Sequence, residues 1–182
     1  GRPSVDALGA LGGYRDRFPA PGQPQGLRLS SYGARVAFAD NHDVWRLRGE
    51  LDDPLAAEIA LTVVFTVDAI PSVYYGTEQD LAGIEHYLSR ELLWREALAF
   101  DTTGPTFRHI ARFVVIRAGS PVLRRGSLTV RYASTSGGAD ETPAADAGML
   151  AYEREHEGEV VLVVLNASID DSTATFPTGF AE

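Results

Sequence analysis

The stretch from residue 35 to residue 43 limits most strongly what this chain can fold into. Its apolar part, residues 36–39, predicts a short buried strand, and four polar residues follow directly. A buried strand that ends in acid, amide and imidazole groups is how α/β barrels present catalytic residues at their C-terminal face. The pattern also fits a strand followed by a polar turn, because Asp and Asn favour turns. The stretch alone leaves both interpretations open.

The segments that follow alternate between helix and strand. An Asp-Pro pair is a helix-start signal and predicts a helix over 54–67. Residues 72–75 predict a second short strand, and Pro105 begins another helix. The order strand, helix, strand, helix over 35–117 is typical of a parallel sheet, which places the chain in the α/β class.

The pattern changes after Pro121. A tight hairpin turn is predicted at 156–159. Four segments predict strands of an antiparallel module, namely 128–132, 149–154, 160–165 and 173–176. We therefore expect two domains, 1–119 and 120–182, of which the second need not be complete.

Charge and cysteine content exclude several partners and sites. The net charge of −9 argues against nucleic acid and anionic membrane as partners, because both need clustered basic charge. The absence of cysteine excludes disulfides and Cys-ligated zinc. The longest apolar run, 59–67, is too short to cross a bilayer.

The first residue is Gly1 rather than Met, and no signal-peptide pattern follows it. We therefore expect that the chain lies within a longer protein. The sequence leaves the localisation open, with secreted and cytoplasmic both compatible.

A second motif follows about thirty residues after the first. Residues 69–79 read Ala-Ile-Pro-Ser-Val-Tyr-Tyr-Gly-Thr-Glu-Gln, and residues 38–43 before them read Phe-Ala-Asp-Asn-His-Asp. At this spacing the pair resembles the α-amylase family, glycoside hydrolase family 13, at the ends of its seventh and eighth barrel strands. Residues 107–126 resemble the family's eighth helix and the entry to its C-terminal β domain. The resemblance covers about residues 32–166, with Ala69 standing where Gly is common.

The resemblance implies the C-terminal portion of a (β/α)8 TIM barrel, 1–119, followed by a small antiparallel β domain, 120–182. The family cleaves or transfers α-glucosidic bonds with retention, which needs two carboxylates about 5–5.5 Å apart. In the family both lie on earlier strands, and neither signature is found here, since Arg15-Asp16-Arg17 lies in a polar segment flanked by Gly and Pro. We therefore expect a fragment that lacks the nucleophile and the acid/base and is inactive alone.

The resemblance assigns roles to the polar end of the first motif. Asp43 corresponds to the family's third acid, which stabilises the transition state by binding sugar hydroxyls at the cleaved unit. His42 is expected to donate to the same hydroxyls, and Asn41 to orient this pair.

Two residues in the loop that follows are further substrate-binding candidates, each with an alternative. Arg46 fits either a contact to a carboxylate or sugar oxygen or a surface charge. Trp45 fits either a sugar-stacking platform or a buried anchor. Farther along, Tyr74 and Tyr75 are expected to alternate on the second strand as packing residues, and Glu78 fits a cleft-lining or a loop-stabilising role equally.

Three functions remain open at this point. The first is an α-glucan hydrolase or transglycosylase that acts on starch or maltooligosaccharides. The second is a non-catalytic amylase-like carbohydrate-binding or partner protein, and the third is an unrelated α/β domain. We expect no metal site or cofactor in this segment, although calcium is compatible with a longer protein. Product specificity and oligomeric state cannot be inferred.

Overall fold

The computed structural model of the protein describes residues 34–83, 89–95, 100–134 and 148–180. The chain divides into two compact units, and one of them comprises residues 36–120. The other contains residues 121–180. The predicted division into 1–119 and 120–182 stays a prediction, because residues 1–33 lie outside the described ranges.

The first unit begins with a strand–helix–strand arrangement. Strand β1, Val36–Ala37, pairs in parallel with β2, Ile70–Pro71, with Val36 opposite Ile70. Helices α1, Leu47–Glu50, and α2, Pro54–Thr66, lie between the two strands in the sequence. The Asp53 side chain accepts from the Leu55 N–H and caps α2, so the predicted helix is confirmed.

The predicted strand over 72–75 is wrong, because the parallel ladder ends earlier. The Ser72 N–H still donates to the Ala37 carbonyl at 2.8 Å. The Tyr74 carbonyl then accepts from the Thr77 N–H within a turn, and the Tyr75 carbonyl accepts from the Arg46 guanidinium. Strand-forming residues therefore give their backbone hydrogen bonds to a turn and to a side chain.

Helix α1 was not predicted from the sequence, which placed this segment in a loop. Its first N–H, at Leu47, donates to a carboxylate oxygen of Asp40 at 3.0 Å. That bond from seven residues away satisfies a helix-terminal donor that would otherwise lack a partner.

Helix α3, Pro105–Gly119, packs against α2 and completes the core of this unit. The rings of Phe65 and Phe113 lie 6.1 Å apart across the two helices. The buried Arg117 side chain donates to the carbonyls of Phe65 and Ala69 and so caps the end of α2. A buried apolar cluster joins the two shorter helices of this unit. It contains Leu47 of α1 and Ala57 and Leu61 of α2.

The long segment between Thr77 and Gly104 includes single-turn 3₁₀ helices at Thr77–Gln79 and Leu93–Arg95. Residues 84–88 and 96–99 lie outside the described ranges.

In its described residues, the second unit contains a short helix and a three-stranded antiparallel sheet. Helix α4, Pro121–Arg125, precedes the sheet. The strands are β3, Ser127–Ala133, β4, Met149–His156, and β5, Glu159–Asn166, and they lie in the order β3-β4-β5. Each covers a predicted strand and adds residues at its ends. The predicted hairpin turn between β4 and β5 is confirmed, and its residues Glu157 and Gly158 lie in the left-handed region.

The strand predicted over 173–176 is wrong, since the described residues after β5 contain no strand. Side chains hold this segment instead of a backbone ladder. The Phe176 ring stacks on Tyr132 with centroids 5.7 Å apart, and the Gly179 N–H donates to the Glu153 carboxylate.

The longest helix in the described residues is α3, with 15 residues. No helix in these ranges combines the length and the apolar content that crossing a bilayer requires. The expectation that neither membrane nor nucleic acid is a partner stays a prediction.

Candidate active site

The loop after β1 brings Asn41, His42 and Asp43 together. The His42 Nε2 and an Asp43 carboxylate oxygen lie 3.1 Å apart, and the two side chains are 57% and 64% exposed. The Asn41 side-chain oxygen accepts from the Asp43 N–H at 2.7 Å and fixes the turn. An exposed imidazole and carboxylate held side by side suit hydrogen bonds to hydroxyl groups of a ligand. The roles of all three residues stay predictions.

A second segment contacts this pair from the far side. The Arg90 guanidinium lies 3.3 Å from Asp43 Oδ1 and also donates to the His42 carbonyl. The Ser89 hydroxyl donates to the same carbonyl at 3.1 Å. Sequence reasoning missed these contacts, because 47 residues separate Arg90 from Asp43 and no local pattern links them.

Asp40 is buried beneath the exposed pair, and sequence reasoning gave it no role. Its Oδ1 accepts from the Thr77 hydroxyl at 2.7 Å and its Oδ2 from the Leu47 N–H at 3.0 Å. The available signal was its position, as the first acid after the apolar run. Asp40 thus connects the first motif to the second.

Arg46 is fully buried, so the surface-charge alternative is wrong. Its Nη1 donates to the Tyr75 carbonyl at 2.6 Å, and its Nε lies 3.7 Å from the Glu91 carboxylate. The guanidinium carbon lies 4.5 Å and 5.0 Å from the ring centroids of Tyr74 and Tyr75, which is a cation–π arrangement. In the described residues its contacts are to protein groups, and its substrate-binding role stays a prediction.

Contrary to the expectation, the two tyrosines do not alternate on a strand. Their rings meet edge to face with centroids 4.6 Å apart, and both flank Arg46. The Tyr75 hydroxyl donates to the Glu91 carbonyl at 2.8 Å. Burial, together with the Tyr75 side chain, raises the pKa of Tyr74, whose ring lies 6.3 Å from His42. The raised pKa favours the neutral phenol of Tyr74 near this pair.

The turn after the tyrosines requires glycine. Gly76 has φ +86°, and a Cβ there would lie 2.5 Å from a methyl carbon of Leu81. The Glu78 carboxylate accepts from the Gly76 N–H at 2.8 Å, which favours the loop-stabilising interpretation of Glu78.

Trp45 lies in this loop and is 45% exposed, so the buried-anchor alternative is wrong. Its predicted role as a sugar-stacking platform stays a prediction. Within the described residues, no group of three His, Cys, Asp or Glu side chains is placed to hold a metal ion.

Several known proteins are similar in sequence to the chain, and cyclomaltodextrin glucanotransferases are among them. No protein-family model matches the chain. The chain is 30% identical over 142 residues to a cyclomaltodextrin glucanotransferase from Paenibacillus macerans, covering 78% of the chain and 17% of that enzyme. It is 28% identical over 134 residues to the cyclomaltodextrin glucanotransferase of Geobacillus stearothermophilus, covering 74% and 17%.

Solved structures that resemble the chain include a cyclomaltodextrin glucanotransferase and an α-amylase. CldA, a cyclomaltodextrin glucanotransferase with a three-domain ABC distribution, matches with a TM-score of 0.66 and 25% identity, over 91% of this chain and 29% of that one. An Anoxybacillus α-amylase matches with a TM-score of 0.58 and 27% identity, over 74% and 27%. The chain therefore spans less than a third of the length of each of these relatives.

Proposed function

Because the chain is homologous to the α-amylase family, glycoside hydrolase family 13, we propose that it is the C-terminal part of an enzyme that cleaves or transfers α-glucosidic bonds with retention. The substrate is an α-glucan such as starch or a maltooligosaccharide. The nucleophile and the acid/base belong to a part of the protein before this chain.

The proposed fold is the last part of a (β/α)8 barrel followed by the antiparallel domain. The parallel pair β1 and β2, with helices between them in the sequence, supports it. Parallel sheets are normally covered on both faces, yet Val36, Phe38 and Ile70 are each more than 40% exposed. Further barrel strands would cover these apolar side chains.

The observation that carries the proposal is the exposed Asp43 carboxylate beside His42, at the carboxyl end of a parallel strand. Barrel enzymes place their catalytic groups at this end. In the proposed reaction, Asp43 and His42 bind hydroxyls of the sugar unit at the scissile bond, and Asn41 holds the loop in position. These bonds strengthen as the ring distorts, so they lower the barrier rather than merely tighten binding. Trp45 and Arg46 remain the further substrate-binding candidates.

The test uses the protein encoded by the complete reading frame that contains this chain, called the full-length protein below. We expect it to release or rearrange maltooligosaccharides from soluble starch. Asp43→Ala should lower kcat about 100- to 1,000-fold, the loss typical for removal of one transition-state-stabilising group. Asp52→Ala is the matched control, because Asp52 is exposed and lies outside the site.

Binding of starch without turnover by the full-length protein would favour the non-catalytic alternative. Full activity of Asp43→Ala would remove Asp43 from the mechanism.

A separate expectation concerns the 182-residue chain by itself. Without a nucleophile, its positioning groups have no reaction to assist, so we expect no turnover of starch or maltooligosaccharides. The open edges of β1 and β2 also favour association in solution. Clear turnover that Asp43→Ala abolishes, or a compact stable monomer in size-exclusion chromatography, would contradict these expectations.

A calcium-binding site in the full-length protein is compatible with this proposal. Its ligands would come from segments outside this chain, since the described residues offer no such cluster. Calcium dependence of activity, measured with and without a chelator, tests this expectation.

A further inference from the structure

The loop that carries Asp43 is closed by a buried carboxylate. Asp40 is 2% exposed and stands at the start of the loop, and its Oδ2 accepts from the N–H of Leu47 at the end of the loop. A buried carboxylate is costly unless its oxygens are hydrogen-bonded. Both oxygens of Asp40 are used, because Oδ1 accepts from the Thr77 hydroxyl at 2.7 Å.

The partner of this carboxylate lies on the second motif. Thr77 is 1% exposed and belongs to the turn that follows the two tyrosines. The adjoining Tyr75 carbonyl holds the other end of the loop through Arg46, at 2.6 Å. The loop is thus attached at two points to one short segment, while its exposed part carries His42 and Asp43.

We propose that Asp40 is a positioning residue for the reaction, acting through Thr77 and Leu47 to hold Asp43 in one orientation toward the substrate. This inference rests on the proposed function for its kinetic part. Displacement of a reacting or stabilising group by about 1 Å costs on the order of 100-fold in rate, so a loop that carries such a group needs fixed ends.

Variants of Asp40 separate positioning from direct chemistry. In Asp40→Asn, the amide oxygen can accept from Leu47 and the amide NH₂ can donate to the Thr77 hydroxyl, so both connections survive. Asp40→Ala loses both. If the negative charge itself took part in the reaction, Asp40→Asn would be as inactive as Asp40→Ala.

The first measurement is the kinetics of the full-length protein on maltoheptaose. We expect Asp40→Ala to lower kcat about 10- to 100-fold with a smaller change in KM. Asp40→Asn should restore most of that loss. In the Asp43→Asn background, Asp40→Ala should cause little further loss, because residues that act as a unit are not additive.

Thr77 supplies a milder pair of variants. Thr77→Val removes one hydrogen bond with little change of shape, and we expect a decrease in kcat of about 3- to 10-fold, the equivalent of one hydrogen bond. Thr77→Ser keeps the hydroxyl and should restore most of that decrease.

The second measurement is amide hydrogen exchange of the full-length protein, which does not depend on the activity. Asp40→Ala and Thr77→Val should speed exchange across residues 41–47 and leave α3 unchanged. If the wild-type protein does not act on α-glucans but exchange changes as expected, the proposed function fails and the loop attachment stands.

Two results would overturn the positioning role. One is an active enzyme in which Asp40→Ala keeps the wild-type kcat, and the other is equal loss in Asp40→Asn and Asp40→Ala. If Asp40→Ala does not fold, Thr77→Val decides, and wild-type kcat and exchange in that variant refute the proposal.

Discussion

Both units of the molecule bury charged side chains, but at different places in their folds. In residues 36–120, Asp40 and Arg46 lie in the loop after a strand, where Asp40 accepts from the Thr77 hydroxyl and Arg46 donates to the Tyr75 carbonyl. A third buried charge of this unit, Arg117, lies in helix α3 and donates to backbone carbonyls at the end of α2. In residues 121–180, Glu153 and Arg154 lie within the central strand β4.

The two units also differ in how fully these charges are satisfied. Arg154 donates to the carbonyls of Leu123 and Gly126, where α4 ends, and Glu153 pairs with Arg131 at 2.7 Å. By contrast, the Nε and Nη2 of Arg46 and one oxygen of Glu91 have no hydrogen-bond partner among the described residues. Buried polar groups are normally paired, and exceptions concentrate at functional sites. We therefore predict that Glu153 and Arg154 stabilise the second unit, whereas Arg46 also arranges the loop that carries Asp43 in the first.

Replacing either of two buried arginines, Arg46 or Arg154, by methionine gives the strongest test of the different roles of buried charge in the two units. Arg46→Met and Arg154→Met should each lower the free energy of unfolding by about 3 kcal/mol or more, because buried partners lose their donors. In the full-length protein, only Arg46→Met should also lower kcat per folded molecule, by at least about 10-fold. Denaturant unfolding and active-site-independent quantification of folded enzyme supply the two values. Wild-type kcat in folded Arg46→Met would break the comparison.

Two carboxylates that each face an arginine form the next pair. Asp43 and Arg90 are exposed, and exposed ion pairs contribute at most about 1 kcal/mol to the free energy of unfolding. Asp43→Asn should therefore leave stability nearly unchanged. It should lower turnover about 100-fold or more. Glu153 is buried against Arg131, so Glu153→Gln should lower stability by about 1–3 kcal/mol with unchanged kcat. Thermal unfolding and starch turnover measure both, and a loss of kcat in Glu153→Gln would contradict the assignment.

Local signals in the sequence were sufficient for several elements of both units. The helices that begin at Pro54 and Pro105 follow their start signals, and the turn at Glu157 and Gly158 follows its hairpin pattern. In each case the deciding hydrogen bonds or backbone angles lie within a few residues, so the pattern carries the information.

The two strand errors have a common physical cause, which is competition for hydrogen bonds and contacts from a local turn and from distant side chains. The strand expected over 72–75 is lost because the Tyr75 carbonyl accepts from Arg46, 29 residues earlier. The strand expected over 173–176 is lost because its neighbourhood is held by the side chains of Tyr132 and Glu153. Residue type alone does not reveal such partners.

The site was predicted from a resemblance rather than from local pattern. The resemblance selected Asn41, His42 and Asp43, which the structure places together, and their roles stay predictions. It did not identify the buried Asp40 or the contact from Arg90, because these depend on which loops meet in space. Tertiary contacts across 37 and 47 residues leave no trace in a short motif.

Two glycines allow a smaller test of backbone stability in each unit. Gly158 in the β4–β5 turn has φ +83°, so Gly158→Ala should cost about 1–2 kcal/mol although no atom obstructs the new Cβ. Gly119 ends α3 with equally open space and without a positive φ, so Gly119→Ala should stabilise by up to about 1 kcal/mol. Chemical denaturation measures both changes. Equal effects of the two substitutions would show that the left-handed conformation is not the cause.

The smallest effect concerns pH and belongs to the first unit. Burial lowers the pKa of His109 below its ordinary value of 6.5, while the nearby Glu58 carboxylate opposes this shift and Arg112 adds to it. The unfolded chain therefore takes up a proton at a higher pH than the folded chain does. As the pH falls from 7 through 6.5, the free energy of unfolding should decrease, with a slope below the roughly 1.4 kcal/mol per pH unit of one full proton.

The decrease should stop below the folded pKa, where both states carry the proton. His109→Gln removes this term, so the difference in unfolding free energy between the variant and the wild type should change between pH 7.5 and 5.5. Because other titrating groups are common to both proteins, the difference isolates His109. Parallel curves over this range would show that burial at the α2–α3 contact does not hold the imidazole neutral.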